Sequence, residues 1–355
     1  MKHVPPVGAR IDDRTINVVA TVLDKFWLRP VTRKGYTDQR AVRTPDDPMT
    51  LVLVKRAVVA SDNDVVALTF ADPGGAALPA WQPGCHLDLH LPSGRRRQYS
   101  LCGDPQDRSG YRIAVRKIPT GGGGSLEMHA LTEGDTVTVR GPRNGFPFIP
   151  HSRVLYLAGG IGITPILPMV RAAQRLGTDW HFVYCGRSID TIPFLDEIWQ
   201  WDPARVTIRL DDEHGIPTAA DLLRHAPRGG AVYVCGPPPM IETVRRGFAE
   251  TGSKNLYFER FSAAPVVDGT AFEIELARTG EVVPVAADET VLQALIKVRP
   301  DTAYSCKQGF CGTCKVGVLA GTPEHRDNRL TDDERQSSML ACVSRSATPR
   351  LVLDV

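Results

Sequence analysis

The sequence predicts a multidomain chain of mixed α+β and α/β class: an antiparallel β-barrel, then a parallel α/β domain, then a small C-terminal domain. Three observations predict it. Short apolar runs separated by Gly, Pro and Asp clusters fill residues 51–150. Strand and helix patterns alternate through residues 151–262. Beyond a linker at 263–270, residues 271–355 hold a short hairpin, a helix and four spaced cysteines.

Composition bounds the reading. A chain of 355 residues has room for two to four domains. Lys and Arg number 42 against 40 Asp and Glu, a net charge of +2, so neither nucleic acid nor an anionic membrane is the expected partner. The N-terminal Met1-Lys2-His3-Val4-Pro5-Pro6 lacks the apolar core of a signal peptide. The most apolar stretch, 154–170, is broken by Gly159, Gly160, Gly162, Pro165 and Pro168. It reads as a buried strand running into a loop and helix, not as a membrane span. Cys85, Cys102, Cys185 and Cys235 are scattered through apolar surroundings and read as buried thiols, as in a reducing cytoplasm.

Residues 1–50 form an N-terminal extension. Ile16, Val19, Ala20, Leu23, Phe26 and Trp27 recur at helical spacing, with Asp13 as a cap and Pro30 as a limit. The barrel strands are expected at 51–54, 65–70, 86–91, 99–102, 111–116 and 136–140. The α/β domain should place strands at 154–158, 181–185, 206–210 and 231–235. Its helices should fall at 165–176, 194–199, 219–224 and 240–250. In the last domain the spacing predicts a hairpin from 271–277 and 282–285 and a helix at 291–298. Thr331 and Glu334 have capping-box spacing before a short helix.

Four of the eight cysteines carry the sharpest signal. Cys306, Cys311, Cys314 and Cys342 are separated by four, two and twenty-seven residues. That is the plant-type spacing of a [2Fe–2S] cluster, whose potential lies near roughly −400 mV. A CxxC redox pair or half of a zinc site would explain Cys311 and Cys314 alone, but not the four together. Gly309 and Gly312 let the loop fold tightly, so that backbone N–H groups can point at the sulfurs.

Two further motifs point to a nucleotide. Ala158-Gly159-Gly160-Ile161-Gly162-Ile163-Thr164-Pro165 follows a strand and opens a helix, the placement that favours phosphate, although it is not GxGxxG. Tyr233-Val234-Cys235-Gly236-Pro237 ends a later strand. Ligands of open α/β sheets bind beyond such strand ends. In the barrel segment, Arg97-Gln98-Tyr99-Ser100-Leu101 offers a phosphate partner, a ring and a hydroxyl. Its plain reading is a basic turn before an ordinary strand. Gly121-Gly122-Gly123-Gly124-Ser125 is either a phosphate-cradling turn or a flexible loop.

Taken in order, these motifs resemble the phthalate dioxygenase reductase family, which includes the vanillate O-demethylase reductases. The resemblance covers about residues 50–355, including Gly141-Pro142-Arg143-Asn144-Gly145-Phe146-Pro147, Glu324-His325-Arg326-Asp327 and Cys342-Val343-Ser344-Arg345. It implies an antiparallel flavin-binding β-barrel, a parallel α/β nucleotide-binding domain and a C-terminal β-grasp ferredoxin domain. By resemblance, Arg97, Gln98, Tyr99, Ser100, Val115, Arg116, Lys117, Gly123, Gly124, Ser125, Thr164 and Phe261 bind FMN. Gly159, Gly160, Gly162, Arg187, Cys235, Gly236 and Pro237 bind NAD. Ser100, Thr164, Cys235 and Phe261 line the reactive flavin edge, and no other catalytic side chain is implied. Some relatives carry Arg in the Gly-rich turn where this chain has Gly122, so a phosphate contact is either lost or taken over by Arg116 or Lys117. Arg187 would suit the 2′-phosphate of NADPH, while the resemblance favours NADH.

The electron numbers fix the order of the groups. NADH gives two electrons as hydride, the cluster takes one, and a flavin can do both, so the flavin must lie between them. The expected acceptor is a separate oxygenase, a Rieske protein or a cytochrome P450, since this sequence has neither Rieske Cys/His pairs nor a haem-thiolate signature. A diaphorase serving another acceptor and a flavin/iron–sulfur redox sensor are the alternatives. For the N-terminal helix, cover for its own barrel and a dimer or oxygenase contact are the two readings. The oligomeric state is not legible.

Overall fold

A computed structural model of the chain describes residues 44–45, 47–62, 64–119, 123–261, 266–304, 307–309, 312–327 and 329–355. The expected N-terminal helix, Gly121, Gly122, Cys306 and Cys311 lie outside the described residues. The chain separates into two units, Met1–Asp46 and Asp47–Val355, and the second holds everything below.

The first sheet is antiparallel throughout. It comprises β1 (Met49–Val58), β2 (Val65–Ala71), β3 (Cys85–His90), β4 (Arg96–Ser100), β5 (Tyr111–Arg116) and β6 (Thr136–Asn144), in the order β4-β3-β6-β1-β2-β5. Its two ends meet through a Leu101–Ile113 bridge and a hydrogen bond from the Cys102 N–H to the Arg112 carbonyl, which closes the barrel. Met49, Leu51 and Leu53 of β1 alternate into its core. Helix α1 (Gly124–Ala130) adds Met128 to the same core.

The second sheet is parallel throughout. Its strands are β7 (Arg153–Gly159), β8 (Asp179–Gly186), β9 (Val206–Leu210), β10 (Ala231–Cys235) and β11 (Asn255–Glu259). Helices α2 (Ile163–Arg175), α3 (Leu195–Ile198), α4 (Asp211–His214), α5 (Ala219–Leu223) and α6 (Pro238–Gly247) connect them. The order β11-β10-β7-β8-β9 reverses between β7 and β10, which makes the crevice at their carboxyl ends the natural ligand position. The expected helix over 240–250 is instead α6 followed by a separate turn of 3₁₀ helix at Phe248–Glu250.

The third sheet is mixed. It contains β12 (Phe272–Leu276), β13 (Glu281–Val285), β14 (Lys315–Ala320), β16 (Ser338–Leu340) and β18 (Arg350–Leu353), in the order β13-β12-β18-β14-β16. A two-stranded ribbon, β15 (Pro323–Glu324) with β17 (Arg345–Ser346), stands beside it. Helix α7 (Val291–Val298) buries Val291, Leu292, Ala294 and Leu295 against the sheet and starts at a Thr290/Gln293 capping box. The Thr331/Glu334 box opens the short α8 (Asp332–Arg335), as expected. Parallel β12–β18 pairing with a helix packed on one face is the β-grasp arrangement.

The barrel and the parallel sheet are joined by a shared core. Along β2, Val66, Leu68 and Phe70 enter the barrel core, while Val65 and Ala67 pack with Ile163, Met169 and Tyr184 of the α/β domain. An ion cluster reinforces this seam. The Glu197 carboxylate accepts hydrogen bonds from Arg112 at 2.6 and 3.2 Å and from Arg171. Arg112 also donates to the Cys102 carbonyl and lies over the Phe194 ring, 5.0 Å from its centre. Removing Glu197 leaves two guanidinium groups facing each other. Since these side chains are only about a quarter exposed, Glu197→Ala should lower the unfolding free energy by about 1–3 kcal/mol. Urea denaturation measures it, and Glu197→Gln should recover part of the loss.

Candidate functional site

At the switch point the two glycine motifs interlock. A Cβ on Gly159 would lie 2.6 Å from Pro237 Cδ, and one on Gly162 would lie 2.2 Å from the Cys235 carbonyl oxygen. Only glycine allows the β7 turn to approach the end of β10 this closely. Gly160 has φ +52 with open space beside it, and its carbonyl accepts from the Tyr184 hydroxyl. Thr164 is buried in the first turn of α2, and its hydroxyl donates to the Ile161 carbonyl. Gly159, Gly160, Gly162, Cys235, Gly236 and Pro237 therefore form one cradle at the N-terminus of α2. Arg187 is exposed just past β8, where its carbonyl accepts the Asp212 N–H.

A pocket opens beside this cradle, lined by residues of the barrel, the α/β domain and the C-terminal domain. The barrel contributes His86, Arg96, Arg97, Gln98 and Ser100. The end of β11 contributes Glu259, Arg260 and Phe261, and the C-terminal domain contributes Tyr304, Lys307 and Gln308. Glu259 is the residue that sequence reasoning missed. Its carboxyl is buried, takes a hydrogen bond from the Ser100 hydroxyl, and leaves Oε2 without a partner among the described residues. Burial pushes its pKa from 4.5 up to about 8, with the Ser100 hydrogen bond pulling the other way. Cys235 pairs with Glu259 across β10–β11, and burial, reinforced by that carboxyl, raises its thiol well above the ordinary range.

The expected flavin residues divide. Arg97, Gln98, Ser100 and Phe261 line the pocket. The Gln98 amide is braced by Asp88 at 2.7 Å, and Phe261 is half exposed. Arg97 covers the start of α1 so closely that a Cβ on Gly124 would lie 2.4 Å from its Nε. Tyr99 packs against the barrel core, and burial pushes its phenol up to about 12. Val115 is buried, and its carbonyl is held by the His129 ring. Gly123 adopts φ +76, and the Ser125 hydroxyl accepts the Ile118 N–H. Arg116, expected beside the phosphate, is the last residue of β5. Its guanidinium turns to the Thr191 carbonyl and Asp62 at the barrel–α/β seam, and Lys117 is exposed. The cation beside the Gly-rich turn is Arg95, whose guanidinium lies 3.5 Å from the Cβ position of Gly123.

On the cluster side, Cys314 and Cys342 are buried in one apolar core. The Ala341 N–H donates to the Cys314 carbonyl and so brings the two cysteines to facing chain segments. Gly309 and Gly312 have φ +80 and +82, and a Cβ on Gly309 would meet Val343 Cγ2 at 2.7 Å. Two motifs quoted from the sequence meet here: Glu324 pairs with Arg345 across β15–β17, and the Ser344 hydroxyl donates to Asp327.

These residues fit the expected groups. A buried neutral carboxyl and a hydroxyl suit the heteroatom edge of a planar ring, arginines suit a phosphate, and buried thiols on a glycine-turned loop suit iron. Residues 274–347 match the 2Fe-2S iron-sulfur cluster binding domain, and residues 156–246 match the oxidoreductase NAD-binding domain. The vanillate O-demethylase oxidoreductase of Pseudomonas sp. (strain HR199 / DSM 7063) is 40% identical over 82% of this chain and 96% of its own length. The phthalate dioxygenase reductase of Burkholderia cepacia is 36% identical over 82% and 94%. The chain belongs to the phthalate dioxygenase reductase family.

A solved phthalate dioxygenase reductase, described as a modular structure for electron transfer from pyridine nucleotides to [2Fe-2S], superposes with TM-score 0.66. It is 34% identical and covers 88% of this chain and all of its own. An intact type IV self-sufficient cytochrome P450 monooxygenase superposes with TM-score 0.68 at 34% identity, and this chain spans 43% of it.

Two outcomes are expected. The folded chain keeps the Glu259 proton up to about pH 8, whereas the unfolded chain loses it near 4.5. The folded state thus binds more protons between these values, and its stability falls as pH rises through that window. Glu259→Gln should flatten this decline, as read from urea midpoints on either side of the window. Gly162→Ala should weaken NADH binding at least about tenfold by pushing the turn off Cys235, measured by titration of the purified protein.

Proposed function

We propose that the protein is the reductase component of an oxygenase system, taking electrons from NADH through FMN and a [2Fe–2S] cluster to a separate Rieske oxygenase or cytochrome P450. The observation that carries this is one pocket lined by residues of the barrel, the α/β domain and the C-terminal domain. The relatives' names support it, since they are reductases of dioxygenase, demethylase and monooxygenase systems. In the self-sufficient P450 the matching region is less than half of a longer chain.

A flavin supplies the ability to accept a hydride and to release electrons singly. The chain's own residues do the rest. The Gly159–Gly162 turn and the Cys235-Gly236-Pro237 end hold the dinucleotide at the switch point. Thr164 and the Cys235 thiol, uncharged at neutral pH, keep that wall compact and apolar. Ser100 would offer its hydroxyl to the ring's polar edge, with the buried Glu259 carboxyl behind it as the hydrogen-bond partner of Ser100. Phe261 shields the ring face. Arg97, with Gly123, Gly124 and Ser125 nearby, takes the phosphate. Cys306, Cys311, Cys314 and Cys342 take the iron. Asp211, Asp212 and Glu213 follow β9 beside Arg187, and their charge disfavours an additional 2′-phosphate, which supports NADH over NADPH.

The working units are residues 51–150, 151–262 and 271–355, joined by 263–270. The buried thiols of Cys85, Cys102, Cys185 and Cys235 suit work in the cytoplasm. Adding NADH without oxygen to the purified, coloured protein should bleach the flavin and cluster bands together and produce the cluster's electron paramagnetic signal. A colourless protein, or one carrying zinc, contradicts the proposal.

A further inference from the structure

We propose that Gln308 is a positioning residue that docks the cluster loop onto the flavin pocket and so sets the rate of electron passage between them. This rests on the function proposed above. Gln308 lies between Cys306 and Cys311 in sequence. Its side-chain amide makes a reciprocal pair with the main chain of one residue across the domain junction. Gln308 Oε1 accepts the Arg260 N–H at 3.3 Å, and Gln308 Nε2 donates to the Arg260 carbonyl at 3.1 Å. Arg260 follows the last residue of β11 and stands between Glu259 and Phe261, both of which wall the pocket. A primary amide facing one residue's N–H and C=O copies the pairing of a neighbouring strand, so it fixes both distance and direction.

Among the described residues, other contacts across this junction combine single hydrogen bonds with cation–ring contacts. Arg96 donates to the Thr302 carbonyl at 2.9 Å and lies over the Tyr304 ring, as Lys307 does. Such cation–ring contacts tolerate sliding. Barrel and α/β domain share an apolar core, whereas the third sheet keeps a core of its own. The Gln308 pair therefore carries much of the registration between pocket and loop. The step it governs is simple: one electron leaves the reduced flavin and enters the oxidised cluster, so that the first is oxidised by one electron and the second reduced by one.

The test uses Gln308→Ala and Gln308→Glu in the full chain. In rapid mixing with NADH under anaerobic conditions, flavin bleaching and cluster bleaching are read as separate phases. Loss of two hydrogen bonds should lower the ratio of the cluster rate to the flavin rate about tenfold in Gln308→Ala. The cluster's spectrum and potential should be unchanged. Independently of any cofactor, amide exchange in the segment 258–261 of the apoprotein should speed up by a similar factor, with the β12–β18 pair unchanged as a folding control. Gln308→Glu keeps an acceptor for the Arg260 N–H and should fall between. A rate ratio within twofold of wild type in both variants, or unaltered exchange at 258–261, overturns the proposal. A wild-type chain that binds no flavin overturns the functional reading instead, and the exchange measurement still judges Gln308.

Discussion

The molecule depends on what happens at the end of one short strand. Glu259 ends β11, and with Arg260 and Phe261 it stands where the barrel, the α/β domain and the C-terminal domain meet. Glu259 meets Ser100 of the barrel and neighbours Cys235 of the parallel sheet. The Arg260 main chain meets Gln308 of the C-terminal domain. Such convergence is a physical need. Hydride and single electrons must both reach one group, so one wall has to belong to every neighbour. A charge there would cost too much, and burial keeps the carboxyl protonated near neutrality.

The two junctions around this point are built differently, and the chemistry explains why. Hydride transfer requires reacting atoms in near contact, so the barrel and the nucleotide-binding sheet must be held rigidly. Their shared core and the Arg112–Glu197–Arg171 cluster do that. An electron can cross a wider gap, and the cluster must also remain reachable by an acceptor. The third sheet is accordingly attached by polar contacts at Thr302, Tyr304 and Gln308.

Much of this was legible in the sequence. Strands at Tyr111–Arg116, Val206–Leu210 and Ala231–Cys235 fall where the apolar runs place them, because each run is bounded by turn residues. The glycine turn and Cys235-Gly236 were readable because close backbone approach leaves glycine as the only option. Strand β11 was not. Asn255-Leu256-Tyr257-Phe258-Glu259 is five residues long, sits at a sheet edge and shows no alternation, so only its pairing with β10 defines it. Glu259 was missed with it, since its unusual proton affinity arises from burial by residues distant in sequence. The Arg97-Gln98-Tyr99-Ser100 motif was found but placed at a strand's start, whereas it lies inside β4. The contacts of Arg116 with the Thr191 carbonyl and Asp62 were not legible, because both partners are distant in sequence.

The central claim is that the flavin ring occupies the pocket shared by the three domains and separates the dinucleotide cradle from the cluster loop. A crystal structure of the oxidised protein carrying its cofactors tests this most directly. The account predicts the ring's polar edge against Ser100 with Glu259 behind it, Phe261 on its face, and the Lys307–Gln308 segment between ring and iron. A ring bound away from Glu259, or a cluster loop turned away from Arg260, would contradict it.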